Sequence, residues 1–204
     1  RNSRGNGTYK IMDRYKWGLS FQSNKSRKLS HEISASYEEE QIEGDSRGLE
    51  YEINWQPIPN FSTELSLGYK KRTGWLLHEA ERNLTTFNAE TWEPKLEFVY
   101  VPSPKQQFRV SAQWVGIKAF EHKRWIAPII AGGLIEITNT NEEKRDFSIS
   151  KLIFQARYRW EIAPLSDLFV VYTRGSDLPS QPKTHFKDLL TDTWSKRKTD
   201  SLIV

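Results

Sequence analysis

From Tyr15 onward the apolar residues of this chain fall on alternate positions: Tyr15, Trp17, Leu19 and Phe21 on one phase, Lys16, Gly18, Ser20 and Gln22 on the other. Strict alternation is the pattern of a β-strand with one apolar and one wet face. It recurs at Leu29, His31, Ile33, Ala35 and Tyr37, at Leu49, Tyr51, Ile53 and Trp55, and at Phe61, Thr63, Leu65, Leu67 and Tyr69. After a gap come Leu96, Phe98 and Tyr100, then Phe108, Val110, Ala112 and Trp114. The cleanest run is Leu152, Phe154, Ala156, Tyr158, Trp160 and Ile162. The pattern predicts about nine strands, near residues 15–22, 29–38, 49–56, 61–70, 95–101, 107–117, 148–162, 167–173 and 200–204, the last incomplete. No segment of comparable length prefers the helical period.

Composition agrees with an all-β chain of one domain spanning residues 1–204. Only 37% of residues are apolar, yet 13% are aromatic, which fits neither a helical bundle nor an ordinary α/β enzyme. Thirty Lys and Arg against 26 Asp and Glu leave a net charge of +4, too weak and too mixed to point to nucleic acid. The absence of cysteine removes a disulfide scaffold, a thiolate metal site and a cysteine nucleophile. No stretch approaches the roughly 18 consecutive apolar residues of a membrane helix. Residues 1–13 lack the apolar core of a signal peptide, so the chain reads as part of a longer or processed protein.

The connections sort by length. Short, turn-like segments with proline, Asn or Asp fall at 56–60, 102–106 and 163–167, with a fourth at 23–28; long polar segments fall at 39–48, 71–94, 118–147 and 174–199. Strict alternation of short and long gathers the tight turns at one end of the sheet and the long loops at the other. A transmembrane β-barrel has that arrangement, with short periplasmic turns and long extracellular loops. In such a barrel only alternate residues meet lipid, so the chain can be polar on average. The expectation is therefore an antiparallel transmembrane β-barrel of the bacterial outer membrane. An odd strand count that begins outside implies further strands before Arg1, making this the C-terminal part of a larger barrel. The competing reading is a soluble all-β binding domain of lipocalin or sandwich type, with the same aromatics filling its core.

In the barrel reading, Trp17, Trp55, Tyr69, Tyr100, Trp114, Tyr158, Trp160 and Tyr172 form the aromatic girdles. Lys16, Glu50, Glu52, Glu64, Arg109, Arg157, Arg159 and Glu161 fall on the polar phase and face the lumen. There they either set the selectivity of a channel or pair across strands to keep a polar lumen hydrated. Residues 123–136, with Trp125, Ile126, Ile129, Ile130 and Leu134, are unusually apolar for a surface loop. Three fates suit them: a plug in the lumen, an extension of the hairpin above the membrane, or a partner site.

The run RYRWEIAPLSDLFVVY at 157–172 resembles the penultimate hairpin of a family of bacterial outer-membrane proteins. In that family a family-9-type carbohydrate-binding domain precedes a C-terminal barrel. The closing DSLIV at 200–204 is similar to the start of that family's last strand. The resemblance implies an outer-membrane location and a porin-like anchor or conduit linked to glycan binding or uptake. It implies the lipid bilayer as partner and a protein or glycan partner at the long loops. It carries no catalytic residues.

No site chemistry emerges beyond this. His31, His78, His122 and His185 are far apart and lack metal-ligand spacing. Glu38, Glu39, Glu40, Glu43 and Asp45 could hold calcium but lack the spacing of a calcium loop, so a solvated loop tip is the simpler reading. Four Asn-X-Ser/Thr matches, at Asn6, Asn24, Asn60 and Asn83, mean little in a chain rich in these residues. No catalytic, cofactor or metal residue is assigned, and an enzyme is the weakest reading.

Overall fold

The computed structural model describes residues 9–130, 132–138, 143–180, 185–196 and 198–204. The chain is all-β and antiparallel. Its strands are β1 (Lys16–Gln22), β2 (Leu29–Glu39), β3 (Asp45–Ile58), β4 (Phe61–His78), β5 (Asn83–Ser103), β6 (Gln106–Ile126), β7 (Ile135–Ile137), β8 (Phe147–Ala163), β9 (Ser166–Ser180) and β10 (Thr199–Ile203), with one helix, α1 (Phe186–Ser195), between the last two. They form a single sheet in the order β1-β2-β3-β4-β5-β6-β8-β9-β10, and β7 adds a short rung to β6. Apart from the short β7, each strand thus pairs with the next one along the chain, the simplest meander. The sheet is open: β1 pairs only with β2 and β10 only with β9 among the described residues.

The alternating cores of the strands lie where periodicity placed them, but their lengths differ. Residues 39–48 and 71–94 are not long loops. Strands β3, β4 and β5 run through them, leaving only 40–44 and 79–82 as connections. Likewise β6 continues to Ile126, and β9 continues to Ser180 before α1. At about 3.3 Å per residue the 21 residues of β5 span about 70 Å. Strands β4, β5 and β6 therefore form a tongue that reaches well past the rest of the sheet.

Bulges explain why this tongue escaped the period-two pattern. The β4–β5 register shifts between Arg72 and Trp75, and the β5–β6 register shifts between Thr86 and Phe87. Each shift moves the following side chains to the opposite face. The β4 bulge is built on glycine: Gly44 and Gly74 both have positive φ, 87° and 76°, and a Cβ on either would overlap the backbone of Thr73 or Glu43. Thr73 locks the contact, its hydroxyl accepting from the Asp45 amide at 3.0 Å. Because faces swap there, the tongue carries apolar residues on both sides. Leu76, Leu84, Trp125 and Ala127 pack with Tyr9 on one side, and Phe87, Ala89 and Ala119 pack with Trp75 and Phe147 on the other.

Candidate functional site

Two opposite surfaces of the sheet carry the features a function could use. The polar phase forms a groove of about 270 Å³ across β2 to β6, lined by Ser34, Ser36, Gly48, Glu50, Ser66 and Lys95 among others. Small Ser and Gly side chains leave this space open, which makes the polar phase the hollow side of the sheet. Charges here pair across strands. Lys95 Nζ lies 3.5 Å from Glu64 and 3.2 Å from Glu97, and Arg109 donates to Glu97 at 3.0 Å. Arg159 binds Asp167 through two nitrogens at 3.2 and 3.1 Å. Lys16 Nζ lies 3.8 Å from Glu38, and Glu52 accepts from Asn54 at 2.6 Å. Arg157 stands opposite Arg109, and Glu161 opposite Asp167.

The other phase is an exposed apolar belt. Trp17, Leu19, Phe21, Ile33, Leu49, Trp55, Leu65, Leu96, Tyr100, Phe108, Trp160 and Ile162 all stand exposed on it. Of the aromatic girdle residues, Trp17, Trp55, Tyr100 and Trp160 are exposed, and Tyr69, Tyr158 and Tyr172 are half-buried. Trp114 is the departure, only 6% exposed, because α1 lies over it.

The belt has a sloping upper limit. On the apolar phase the first polar residue above the belt is Glu39 on β2, Arg47 on β3, Lys71 on β4, Glu90 on β5, Lys118 on β6, Ser150 on β8, Arg174 on β9 and Asp200 on β10. The ladder carries Arg47, Lys71, Glu90 and Lys118 on the rung of Tyr37. It carries Asp200 and Arg174 through Phe154, Ala112, Leu96, Leu65 and Ile53 down to the rung of His31, eight positions along β2 from Glu39. Over the seven strand steps from β2 to β10 that is a net drop of about 26 Å in about 34 Å, a mean slope of roughly 40°, with the edge level from β3 to β6 and the fall concentrated between β6 and β9.

Above the belt the tongue is held by ions. Arg124 grips Glu121 with two nitrogens at 2.7 and 3.0 Å and also donates to the Glu143 carbonyl at 2.7 Å, with both side chains at most one-tenth exposed. The Arg145 amide donates to the same carboxylate at 2.7 Å. Burial pushes the Glu121 carboxyl upward, but Arg124 and the Arg145 amide outweigh it and hold the group below its ordinary range. Lys123 is shifted up by its hydrogen bond to Glu43.

The remaining sequence candidates are kept apart. His31 bonds Tyr51 at 3.0 Å, His78 bonds the Glu81 carbonyl at 2.8 Å, His122 lies 3.6 Å from Glu43, and His185 stands at the N-cap position of α1 without a side-chain capping bond. The acidic residues do not converge: Glu38 turns to Arg14, Glu43 to Lys123 and Asp45 to Arg47. Among the described residues no group of three or more His, Asp or Glu is placed to hold a metal, and no helix is long and apolar enough to cross a membrane. The apolar loop 123–136 starts as an extension of β6, pairs back through β7, and leaves Ile129 and Ile130 exposed at its tip.

The feature that sequence reasoning missed is α1. Its signal was present as Phe186, Leu189, Leu190, Thr193 and Trp194, spaced i, i+3, i+4, i+7 and i+8.

No curated protein and no solved structure matches the chain. The family model described as Domain of unknown function (DUF5916) matches residues 2–204, and the chain belongs to that family.

Proposed function

We propose that this sheet is part of a transmembrane β-barrel of the bacterial outer membrane, serving as an anchor or conduit linked to glycan handling. The observation that carries the reading is the sloping apolar belt. Strands in a membrane barrel tilt by about 35–45° from the barrel axis, so a lipid band level with the membrane must cross the ladder at that angle. The mean slope of the belt's upper edge, roughly 40° from β2 to β10, falls in that range. Across β2 to β6 the face opposite the belt supports the same reading, since it is hollow, polar and laced with paired charges, whereas on β8 to β10 it also carries the exposed Ile153, Phe169 and Ile203. Lipid cannot hydrogen-bond the outer edges of β1 and β10, so the proposal requires further strands to close the sheet. The glycan link rests on the resemblance of the 157–172 hairpin.

Placing arginine at the belt's centre tests this. Ala156→Arg should lower the stability of the protein folded in lipid vesicles by about 2–4 kcal/mol, whereas Gln155→Arg, on the hollow face, should be mild. Urea titration in vesicles reads both. Equal tolerance at the two positions, or extraction without detergent, would favour a soluble binding domain instead.

A further inference from the structure

We propose that α1 is an interfacial helix that lies on the outer-leaflet surface, with Leu190 and Trp194 dipping into the lipid and the surrounding cations meeting anionic headgroups. The proposal rests on the membrane-barrel reading and extends it to a specific lipid contact.

Three observations lead to it. First, α1 packs on the belt face and not in the groove. Leu189 and Thr193, one turn apart, are buried against Trp114, Ser150 and Leu152. Second, α1 follows the upper limit of the belt. Its start sits at Lys118, whose ammonium lies 4.3 Å over the Phe186 ring, and its end at Arg174, whose guanidinium lies 4.8 Å over the Trp194 ring. Lys118 and Arg174 are themselves the first charged residues above the belt on β6 and β9. A helix running from one to the other follows the edge where it falls six positions over two strand steps, and so lies within about 25° of the membrane surface that the mean slope defines.

Third, the two flanks of the helix differ in the required sense. At 100° per residue, the positions just after the buried pair, Leu190 and Trp194, share one flank, and those just before it, Asp188 and Asp192, share the other. Trp194 touches Phe154 of the belt, with ring centroids 5.8 Å apart, so the apolar flank faces the belt and the acidic flank faces away. Leu190 and Trp194 are nevertheless 40% and 46% exposed. Exposed apolar side chains continuous with the belt, beneath an acidic flank, describe a helix that lies in an interface.

The charge around the helix selects the headgroup. Lys118, Arg174, Lys187, Lys196 and Lys198 lie on or next to α1, against Asp188, Asp192 and Asp200, and Lys196 is paired with Asp192 at 3.0 Å. Two of the three carboxylates lie on the flank turned away from the belt. The Nε of Arg174 is buried with no hydrogen-bond partner among the described residues, while another of its nitrogens donates to the Trp194 carbonyl. That burial keeps the Nε from a headgroup, and a phosphate-bearing anionic headgroup suits the exposed Lys187 and Lys198 instead.

Spin labels on single cysteines test the proposal, since the chain has no cysteine of its own. Leu190→Cys, Asp188→Cys and Ala156→Cys are compared in the full-length protein reconstituted into vesicles of phosphatidylcholine with and without phosphatidylglycerol. Collision with lipid-soluble oxygen and with a water-soluble nickel chelate reports depth. The expected result is an oxygen-to-nickel ratio at 190 at least threefold that at 188. Phosphatidylglycerol should raise the ratio at 190, and Lys187→Gln with Lys198→Gln should halve the rise. Equal ratios at 190 and 188, with the label at 156 buried in lipid, would overturn the interfacial helix and leave the barrel standing. A label at 156 open to the nickel chelate would overturn both. No response to phosphatidylglycerol would overturn the headgroup contact.

Discussion

Trp114 Nε1 donates a 2.9 Å hydrogen bond to the hydroxyl of Ser150, on the adjoining strand. Ser150 in turn reaches α1, donating to the Leu189 carbonyl at 3.2 Å. One small side chain therefore fixes a tryptophan on β6 and a helix carried by the β9–β10 connection. Ser150 is fully buried, so its removal leaves the indole N–H and its share of the helix carbonyl bonding unmet. Ser150→Ala should cost about 1–3 kcal/mol and loosen α1 before it affects the sheet. Limited proteolysis reads this as faster cleavage within 186–195. Cleavage at the wild-type rate would mean that packing of Leu189 alone retains the helix.

The ion pair at the tongue predicts a pH dependence. The Glu121 carboxyl is held below its ordinary value of 4.5, so it binds fewer protons in the folded protein than in the unfolded chain. Its contribution is then fully present above the unfolded value and is lost as pH falls through the lower folded value. The protection of the Arg124 amide and its neighbours, relative to the unfolded-chain exchange rate at each pH, should fall on acidification below about pH 4.5, while that of the belt strands holds. Glu121→Gln should speed exchange at neutral pH and flatten the pH profile, because the buried Arg124 is left facing a neutral amide.

Gly44 lies against Thr73 and Gly74 against Glu43 where the β2–β3 turn meets the β4 bulge. In Gly74→Ala, the new methyl would overlap the Glu43 carbonyl in a backbone conformation that L residues adopt at a cost of about 1–2 kcal/mol. Gly133→Ala, with nothing within 4 Å of its added carbon, is the control. Chemical denaturation should show the first clearly destabilised and the second near neutral. Equal midpoints would show that the bulge relaxes without strain.

These sites also mark how far sequence pattern reaches. Where one face stays apolar, as from Phe61 to Tyr69 or Leu152 to Ile162, alternation locates the strand and its phase. Above the belt it fails for a physical reason. The bulges at 72–75 and 86–87 flip the phase, so that Trp75 and Leu76, or Leu84 and Phe87, present apolar groups to both faces of the tongue. The groove was legible as a phase, from Glu50, Glu64 and Arg109, but its cross-strand partner Lys95 follows Pro94 at the edge of a segment that reads as loop. Trp114 read as a girdle ring because ten residues far along the chain cover it, and a periodicity confined to one strand carries no information about that cover.

Topology supplies the last prediction. Consecutive antiparallel strands reverse direction, so every second connection returns to the same end of the sheet. The turns at 59–60, 104–105 and 164–165 share one end; the connections at 40–44, 79–82 and 127–146 share the other. Leu165 and Ile130 mark the two ends, and both are almost wholly exposed. If the short turns are periplasmic, Ile130→Cys should react with a membrane-impermeant maleimide on intact cells. Leu165→Cys should react only after the outer membrane is opened. Reaction at Leu165→Cys alone would invert the orientation and put α1 on the inner leaflet. Reaction at both on intact cells would mean that the sheet separates no compartments, and the sloping belt would then have to be covered by protein.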